Sequence, residues 1–497
     1  MRLADTNSYV LGQRDTTGYI FGLSMVQVMV AGSGMGLMVL FRMSGMGFIS
    51  TLIPAGLGLM AAKARWRNRF AYEWVPVLLR WWLRRGSRDW WTETPWDGAA
   101  GDRPPVLSGV VVTEEHFRSQ SDVAVIWDRS RAEASVMLEA SGVDFAVASA
   151  AEQDQLLTDF GKVISAFATE GSAIARVGWF EVAARQSLDE HIDFVRAQVA
   201  GGADEQRRAD YLSMVRSVGS ATTKHALYLS VTVSGDAVAR ASSGLVSKRR
   251  SNKSLDDRTV DALTTAATQL TRGLKGSGVT VHGLLGRGDL AGVTQMAIDP
   301  SRELGLLPAA GRLRHRLGSD TRMGPQETTE AFRFFATDGT FHRTYRIAGF
   351  PRTAQRADWM VNLLSRPEEA RTVSTMFEPV PPRKSHQSIE RRLAKLDAGE
   401  RLKLERGRRI SRAEDQARED VLALEADLVS GFGVVGYYSH VTISARSVDA
   451  LAVAAEEFEA TAGTAGLLLA PCDGEHGAGW ALTLPLGLGA SKSRMTL

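Results

Sequence analysis

Residues 19–62 read YIFGLSMVQVMVAGSGMGLMVLFRMSGMGFISTLIPAGLGLMAA, and this stretch decides how the rest of the chain is organised. No charged residue occurs over 16–41 or over 43–62, so that Arg42 alone divides two long apolar runs. A helix needs about 20 apolar residues to cross a bilayer, and lipid offers no partner to unpaired backbone groups. The spacing therefore predicts a transmembrane hairpin of two helices over residues 18–63.

Small residues in both runs indicate where these helices would pack. Gly32 and Gly36 stand one turn apart in the first run, and Pro54 and Gly58 stand in the second. Small residues let two backbones approach closely in lipid. A pair of buried helices in a soluble core, or a signal peptide, would also be apolar. Both fit less well, because soluble helices rarely run this far without charge and a signal peptide has one short apolar segment.

Basic residues flanking the hairpin predict its orientation. Lys63 and three arginines follow the second run closely, two arginines precede the first, and the tip carries only Arg42. Positive residues stay on the cytoplasmic side of a membrane. We therefore expect a multi-pass protein of the inner cell membrane with both termini in the cytoplasm and a cytoplasmic lead-in at residues 1–17.

Tryptophan and arginine alternate after the hairpin. Seven of the 11 tryptophans fall between Trp66 and Trp96. Tryptophan favours the headgroup layer and arginine favours anionic lipid, so residues 64–93 are interpreted as a juxtamembrane segment. We expect its helix, over about 66–90, to leave the bilayer and then lie along the inner face of the membrane. Stacking on single-stranded nucleic acid and burial against a partner subunit are the alternatives. The candidate membrane-interface residues are Lys63, Arg65, Trp66, Trp74, Arg80, Trp81, Trp82, Arg84 and Arg85.

Composition excludes several kinds of site. The single cysteine, Cys472, rules out an intramolecular disulfide and any multi-cysteine metal centre. The nine histidines show no zinc-site spacing, so we predict no metal. A net charge of +3 over 497 residues is weak evidence for nucleic-acid binding.

The remainder predicts an α+β fold in two cytoplasmic domains. A Pro/Gly-rich linker at 94–105 precedes a first α+β domain at 106–300, and a basic connecting loop at 301–338 precedes a second domain at 339–497. Strands, such as one predicted at 370–379, alternate with helices, such as those predicted at 188–200 and 448–460. Hairpins interrupt this order, which favours ferredoxin-like, split βαβ domains over a doubly wound sheet.

The second domain carries an inserted, charged helical hairpin. It covers about 385–429, with a predicted break at 397–399 and mixed charge typical of a solvated face. A surface for a partner helix is the second interpretation. We also expect a helix at 354–364 and a closing strand at 481–484.

No motif of catalysis stands out. The nearest imitation of a P-loop, residues 487–493, lacks the glycine before Lys492, and no Gly-x-Ser-x-Gly elbow occurs. We therefore predict no enzyme activity, no catalytic residue and no cofactor, with a site assembled by folding left open. The arginine-rich loop around Arg314 is read as solvated, with phosphate contact as the alternative.

Residues 344–351 (TYRIAGFP), the following Trp359, the Glu-Pro turn at 378–379 and the closing 482–487 (LTLPLG) resemble the amino-terminal, non-motor domain of VirB-type conjugation ATPases. The apolar hairpin with its Trp/Arg segment resembles the small PrgI/VirB-type membrane protein that is often fused to that ATPase. The combination is similar to an actinobacterial membrane family linked to type IV secretion-like transfer clusters.

The resemblance implies a membrane-anchored docking subunit, with ATP hydrolysis supplied by another chain because no motor motif is present. Expected partners are inner-membrane lipid, a hexameric ATPase and other membrane subunits, with self-association left open. Candidate docking residues are Phe350, Pro351, Trp359, Pro485 and Gly487. The alternatives are an EccE-like subunit of type VII secretion and a membrane-bound enzyme acting on a phosphorylated substrate.

Overall fold

The computed structural model describes residues 25–45, 47–86, 88–99, 101–117, 120–143, 145–185, 205–219, 223–242, 253–300, 308–309, 312–313, 322–351, 355–360, 363, 370–405, 407, 409–410 and 412–490. These residues form a mixed α+β fold built on one large antiparallel sheet, as predicted for the fold class. The predicted helix at 188–200 and most of the basic connecting loop lie outside the described residues.

The helices are α1 (Met25–Met43), α2 (Phe48–Lys63), α3 (Ala71–Leu83), α4 (Ala150–Ser165), α5 (Glu205–Gly219), α6 (Gly235–Ser242), α7 (Leu255–Gly273), α8 (Arg287–Ile298), α9 (Pro382–Glu405), α10 (Arg412–Val429), α11 (Val448–Thr464) and α12 (His476–Thr483). Local sequence explains where several of them begin. Ser149 and Ser254 form capping boxes with Glu152 and Asp257, which satisfy backbone N–H groups at the starts of α4 and α7.

The strands are β1 (Arg65–Trp66), β2 (Arg69–Phe70), β3 (Asp89–Trp91), β4 (Val110–Phe117), β5 (Gln120–Asp128), β6 (Glu133–Gly142), β7 (Ile174–Arg185), β8 (Thr223–Ser234), β9 (Val279–Leu284), β10 (Pro308–Ala309), β11 (Arg312–Leu313), β12 (Glu327–Glu330), β13 (Phe335–Thr337), β14 (Thr340–Gly349), β15 (Ala370–Pro379), β16 (Val435–Ala445) and β17 (Leu468–Pro471). The main sheet has the order β3-β12-β13-β14-β16-β15-β7-β8-β6-β5-β4. In addition, β17 pairs with β14, and β9 pairs with β6.

The two halves of this sheet repeat one pattern. In the first half β4, β5 and β6 form a meander, and the inner strands follow in the order β9-β6-β8-β7. In the second half β12, β13 and β14 form the meander, and the order is β17-β14-β16-β15. A bulge interrupts both β6–β9 and β14–β17. The helices α7 and α8 flank β9 as α11 and α12 flank β17.

The halves meet where β7 pairs with β15. The pairings lead from β6 through β8 to β7 in the first half, and from β14 through β16 to β15 in the second. Along these paths Phe180 and Ser374 occupy equivalent positions in the two halves, and the two residues pair with each other. An approximate two-fold axis therefore passes through this pair. The sheet is continuous across the boundary that the sequence placed between two domains.

The two faces of the sheet bury different layers. One face of the first half packs on α4 and α7, and the same face of the second half packs on α11. The opposite face encloses α8, α12 and the segment 484–490 in a shared core that contains Trp96, Phe180 and Trp480. Trp96, which the sequence assigned to a linker, is 2% exposed, and its backbone carbonyl accepts from the backbone N–H groups of Met323 and Gly324.

Four local predictions differ from the structure. Residues 481–484 are not a strand, because α12 occupies 476–483, and an apolar run buried on all sides gives no period to separate helix from strand. The charged hairpin breaks between α9 and α10 and not at 397–399, where α9 is continuous. Residues 357–360, inside the helix predicted at 354–364, form a turn, whereas Leu363 is helical; residues 361, 362 and 364 lie outside the described residues. The expected helix over 66–90 reduces to α3, flanked by the β1–β2 hairpin and by β3.

Candidate functional site

The antiparallel helices α1 and α2 cross at two glycines. A Cβ placed on Gly34 would lie 2.6 Å from the carbonyl oxygen of Pro54 and 2.9 Å from the Cα of Gly58, so the backbones are in direct contact. Farther along, the side-chain amide of Gln27 donates to the carbonyl oxygen of Ala62 at 2.9 Å. The contacts of this pair therefore include a close backbone approach and the buried Gln27–Ala62 hydrogen bond.

This contact corrects part of the predicted packing surface. Pro54 and Gly58 lie at the crossing, but a Cβ on Gly32 or Gly36 would meet nothing within 4 Å. Gly34 is two residues from both Gly32 and Gly36, and two residues correspond to about 200° around the helix, so Gly34 lies on nearly the opposite face. The sequence thus identified the right kind of residue on the wrong face of α1.

The remaining surface of the pair is apolar and exposed. In α1, Met29 and Leu40 are 62% and 61% exposed, and in α2 Leu57 is 55% exposed. Among the described residues, α1 is the one helix long and apolar enough to cross a membrane, over Val26–Met43, and the apolar part of α2 is shorter. A pair of soluble helices would bury such side chains or replace them by polar ones.

A two-residue turn starts the connection between these helices and the α+β body. Arg67 and Asn68 join β1 to β2, and their φ angles of 49° and 59° are those of a type I′ turn. Neither residue is glycine, so the turn stores strain that its side-chain contacts offset. Asn68 donates to the carbonyl oxygen of Leu469 at 2.7 Å, and Arg67 forms a salt bridge with Asp473.

Asp473 lies at the centre of a buried charged cluster just before α12. Its side chain is fully buried, and one oxygen stands 3.4 Å from Nε2 of His476. The backbone N–H of Thr344 donates to Nδ1 of the same ring, so the hydrogen of a neutral His476 resides on Nε2. Burial lowers the pKa of His476. Burial by itself would raise the pKa of Asp473, but His476 and Arg67 hold it below its usual value.

Glu475 extends the cluster towards α3. Its side chain is 8% exposed and lies 3.3 Å from Arg80 of α3 and 3.6 Å from Arg69 of β2. Asp473 and Glu475 therefore face three arginines of the segment that follows α2. The carboxylates of these pairs are buried, whereas Arg67 and Arg80 are 28% and 46% exposed, so the contacts anchor the segment to the body at two buried acids.

Glu330 completes the acidic side of the cluster. Its carboxylate accepts from the backbone N–H of Gly477 at 3.0 and 3.2 Å. Burial raises the pKa of Glu330 to about 7, opposed by Arg84 and assisted by Glu475. The carboxyl group therefore changes charge near neutral pH at the point where α3 meets the body.

Aromatic contacts seat the inner face of α3. Trp74 and Trp81 lie with ring centroids 6.4 and 5.5 Å from that of Phe332, and Val77 reaches Gly474. The guanidinium of Arg88 lies 3.6 Å from the ring centre of Trp81. Of the predicted membrane-interface residues, Trp74, Arg80 and Trp81 thus contact the body. Lys63, Arg65, Trp66, Trp82, Arg84 and Arg85 are exposed.

The predicted docking residues fall in two places. Pro485 and Gly487 are buried in the interior, where the carbonyl oxygen of Gly487 accepts from Arg176 at 3.0 and 3.1 Å, so they cannot contact a partner's surface. Phe350 and Trp359 are half-buried with ring centroids 6.4 Å apart, and Pro351 is buried. The expected docking surface therefore reduces to the Phe350–Trp359 side of the second half.

A second buried charge cluster holds the segment 484–490. Arg176, with a side chain 2% exposed, donates to Glu133 at 2.6 Å. Arg131 donates to Glu133 at 3.0 Å and to the carbonyl oxygen of Ala490 at 2.8 Å. These contacts attach the segment 484–490 to β7 and to the start of β6, and we call them the interior latch. Within the described ranges, no three His, Cys, Asp or Glu side chains are grouped so as to hold a metal ion.

Sequence reasoning missed the charged cluster, because its members are far apart in the chain. Arg67 and Asp473 are separated by 406 positions. The one available signal was the pair of acids just before an apolar run at 476–490. No family model matches the chain, and no curated protein matches it.

Proposed function

We propose that this protein is a membrane-anchored docking component of a type IV secretion-like conjugation apparatus that recruits a separate ATPase to the inner membrane. The observation that carries the proposal is a pair of outward-apolar helices connected to a large α+β body through ion pairs with two buried carboxylates. A scaffold that holds its partner in a fixed orientation to the membrane needs a rigid connection between anchor and body, whereas a simple tether needs only a flexible linker.

The fold adds support at a finer level. The inner strands of each half are all antiparallel and follow the order β9-β6-β8-β7 or β17-β14-β16-β15. In the first half, helix α4 connects β6 to β7, and helix α7 lies between β8 and β9. We propose that each half is a ferredoxin-like unit, and that α9 and α10 form the helical hairpin inserted into the second. The Lys403–Glu414 and Arg418–Glu400 salt bridges join these two helices to each other. We propose that the exposed side of this hairpin is a surface for a partner.

The membrane assignment is tested by labelling single cysteines in intact cells. The native Cys472 is 3% exposed and should not react with an impermeant maleimide. We expect Ser44→Cys, between α1 and α2, to react from outside, and Gly407→Cys, between α9 and α10, to react only after lysis. Labelling of both positions from the same side would overturn the hairpin and its orientation.

The ATPase assignment needs a separate experiment. A photo-crosslinking amino acid at Trp359 in native membranes should capture a P-loop ATPase, identified by mass spectrometry. The matched control is Val147, which is exposed in the first half. Capture of copies of this chain alone, or equal capture of the ATPase from Val147, would contradict docking through the Phe350–Trp359 side.

A further inference from the structure

The outward face of α3 is apolar, whereas the exposed face of a surface helix in a soluble protein is polar. At about 100° per residue, five apolar side chains follow one another over roughly 140° of its circumference. These are Leu78, Trp82, Val75, Leu79 and Leu83, each 46–66% exposed. The polar residues of the helix, Glu73 and Arg80, lie on one flank, and Arg80 is engaged by Glu475.

The inner face of α3 is already occupied. Trp74 and Val77 are 4% exposed, and both pack on the body together with Trp81. The helix therefore cannot rotate to bury its outer stripe without breaking these contacts and the Arg80–Glu475 ion pair. Something other than the described part of the chain must cover the stripe, because exposed contiguous apolar patches of this kind mark binding surfaces.

Charge and position favour lipid over a protein partner. The turn after α2 brings α3 directly back beside the end of that helix, where the backbone N–H of Ala71 donates to the carbonyl oxygen of Ala64 at 2.9 Å. Exposed Lys63 and Arg65 lie before α3, and exposed Arg84 and Arg85 lie after it. An apolar stripe ending in aromatic and basic residues is the pattern of helices that lie in the interface of an anionic membrane.

We infer that α3 is an interfacial helix, whose stripe of Leu78, Trp82, Val75, Leu79 and Leu83 inserts among lipid acyl chains while the flanking arginines contact anionic headgroups. This inference rests on the proposed membrane anchoring and goes beyond it. The protein meets the bilayer through a third element parallel to the surface. The buried cluster around Asp473 then sets the tilt of the α+β body relative to the membrane.

Spin labels on the full chain in nanodiscs test the inference. For Leu79→Cys we expect greater accessibility to oxygen than to a water-soluble nickel complex, and for Glu73→Cys, on the flank of the same helix, the reverse. A label at position 79 accessible to the nickel complex, or immobilised and shielded from both reagents, would overturn the inference. The second pattern would indicate that another copy of the chain covers the stripe.

A label at Leu37→Cys on α1 separates failure of this inference from failure of the proposed function. If position 37 is in lipid and position 79 is not, the anchor stands and the interfacial helix falls. If position 37 is also aqueous, the membrane proposal itself fails. We further expect the label at 79 to lie deeper in phosphatidylglycerol than in phosphatidylcholine nanodiscs, with the difference reduced by Arg85→Gln. An equal depth in both lipids would overturn the anionic-lipid preference.

Discussion

Replacing Gly34 by alanine tests whether the close crossing of α1 and α2 holds the helix pair together. The new Cβ would stand 2.6 Å from the carbonyl oxygen of Pro54 and 2.9 Å from the Cα of Gly58. Ordinary carbon contacts lie near 3.5–4.0 Å, so the helices must separate by roughly 0.7–1 Å at this point. A gap of that size forfeits a quarter to a half of the local dispersion energy.

The expected cost is about 1–3 kcal/mol, the usual range for overpacking a tight contact. Alanine also raises helix propensity by about 1 kcal/mol relative to glycine, which would mask part of the cost. Gly36→Ala is the matched control, because it gains the same propensity on the same helix and meets nothing within 4 Å. The quantity to compare is therefore the difference between the two variants.

The assay is reversible unfolding of the purified chain in mixed micelles with increasing dodecyl sulfate, followed by the distance between spin labels at Met29 and Leu59. We expect Gly34→Ala to lose about 1–3 kcal/mol relative to Gly36→Ala. Gly58→Ala should resemble Gly34→Ala, since its Cβ would lie 2.9 Å from the Cα of Gly34. Equal stabilities of the Gly34 and Gly36 variants, within about 0.5 kcal/mol, would refute the assigned crossing.

Three further substitutions test the body and its joint by thermal unfolding. Because the pKa of Glu330 is raised in the folded state, the protonated group stabilises the fold below pH 4.5, and this stabilisation is lost as pH rises through about 7. Glu330→Gln should therefore remove up to about 3 kcal/mol from the pH dependence of the unfolding free energy. An unchanged dependence of the unfolding free energy on pH would contradict this. Asp473→Asn should cost about 1–3 kcal/mol, because Arg67 loses a charged hydrogen-bond partner but remains 28% exposed. A loss below about 0.5 kcal/mol would show the pair to be dispensable. Gly487→Ala should cost at least about 1 kcal/mol more than Gly407→Ala, because both have φ near 65° but only Gly487 is enclosed; equal losses would argue against the interior latch.

Local patterns predicted much of the α+β body. The strand predicted at 370–379 matches β15, and the helix predicted after Val448 begins there as α11. The sequence signals are local: α11 buries Leu451, Ala454, Ala455 and Phe458 at helical spacing, and β15 ends at a Glu-Pro turn. The internal repeat could not be recognised from the sequence, because the equivalent positions Phe180 and Ser374 hold unlike residues and are related only by strand pairing.

The sequence by itself determined that two apolar runs come first, that tryptophan and arginine follow them, and that an α+β body comes after. Tertiary structure alone decided which glycines meet, since a shift of two residues turns a helix by about 200°. It also brought Arg67 onto Asp473 and left the outer stripe of α3 uncovered. Apolar content is a property of each segment, but which face is buried depends on what packs against it.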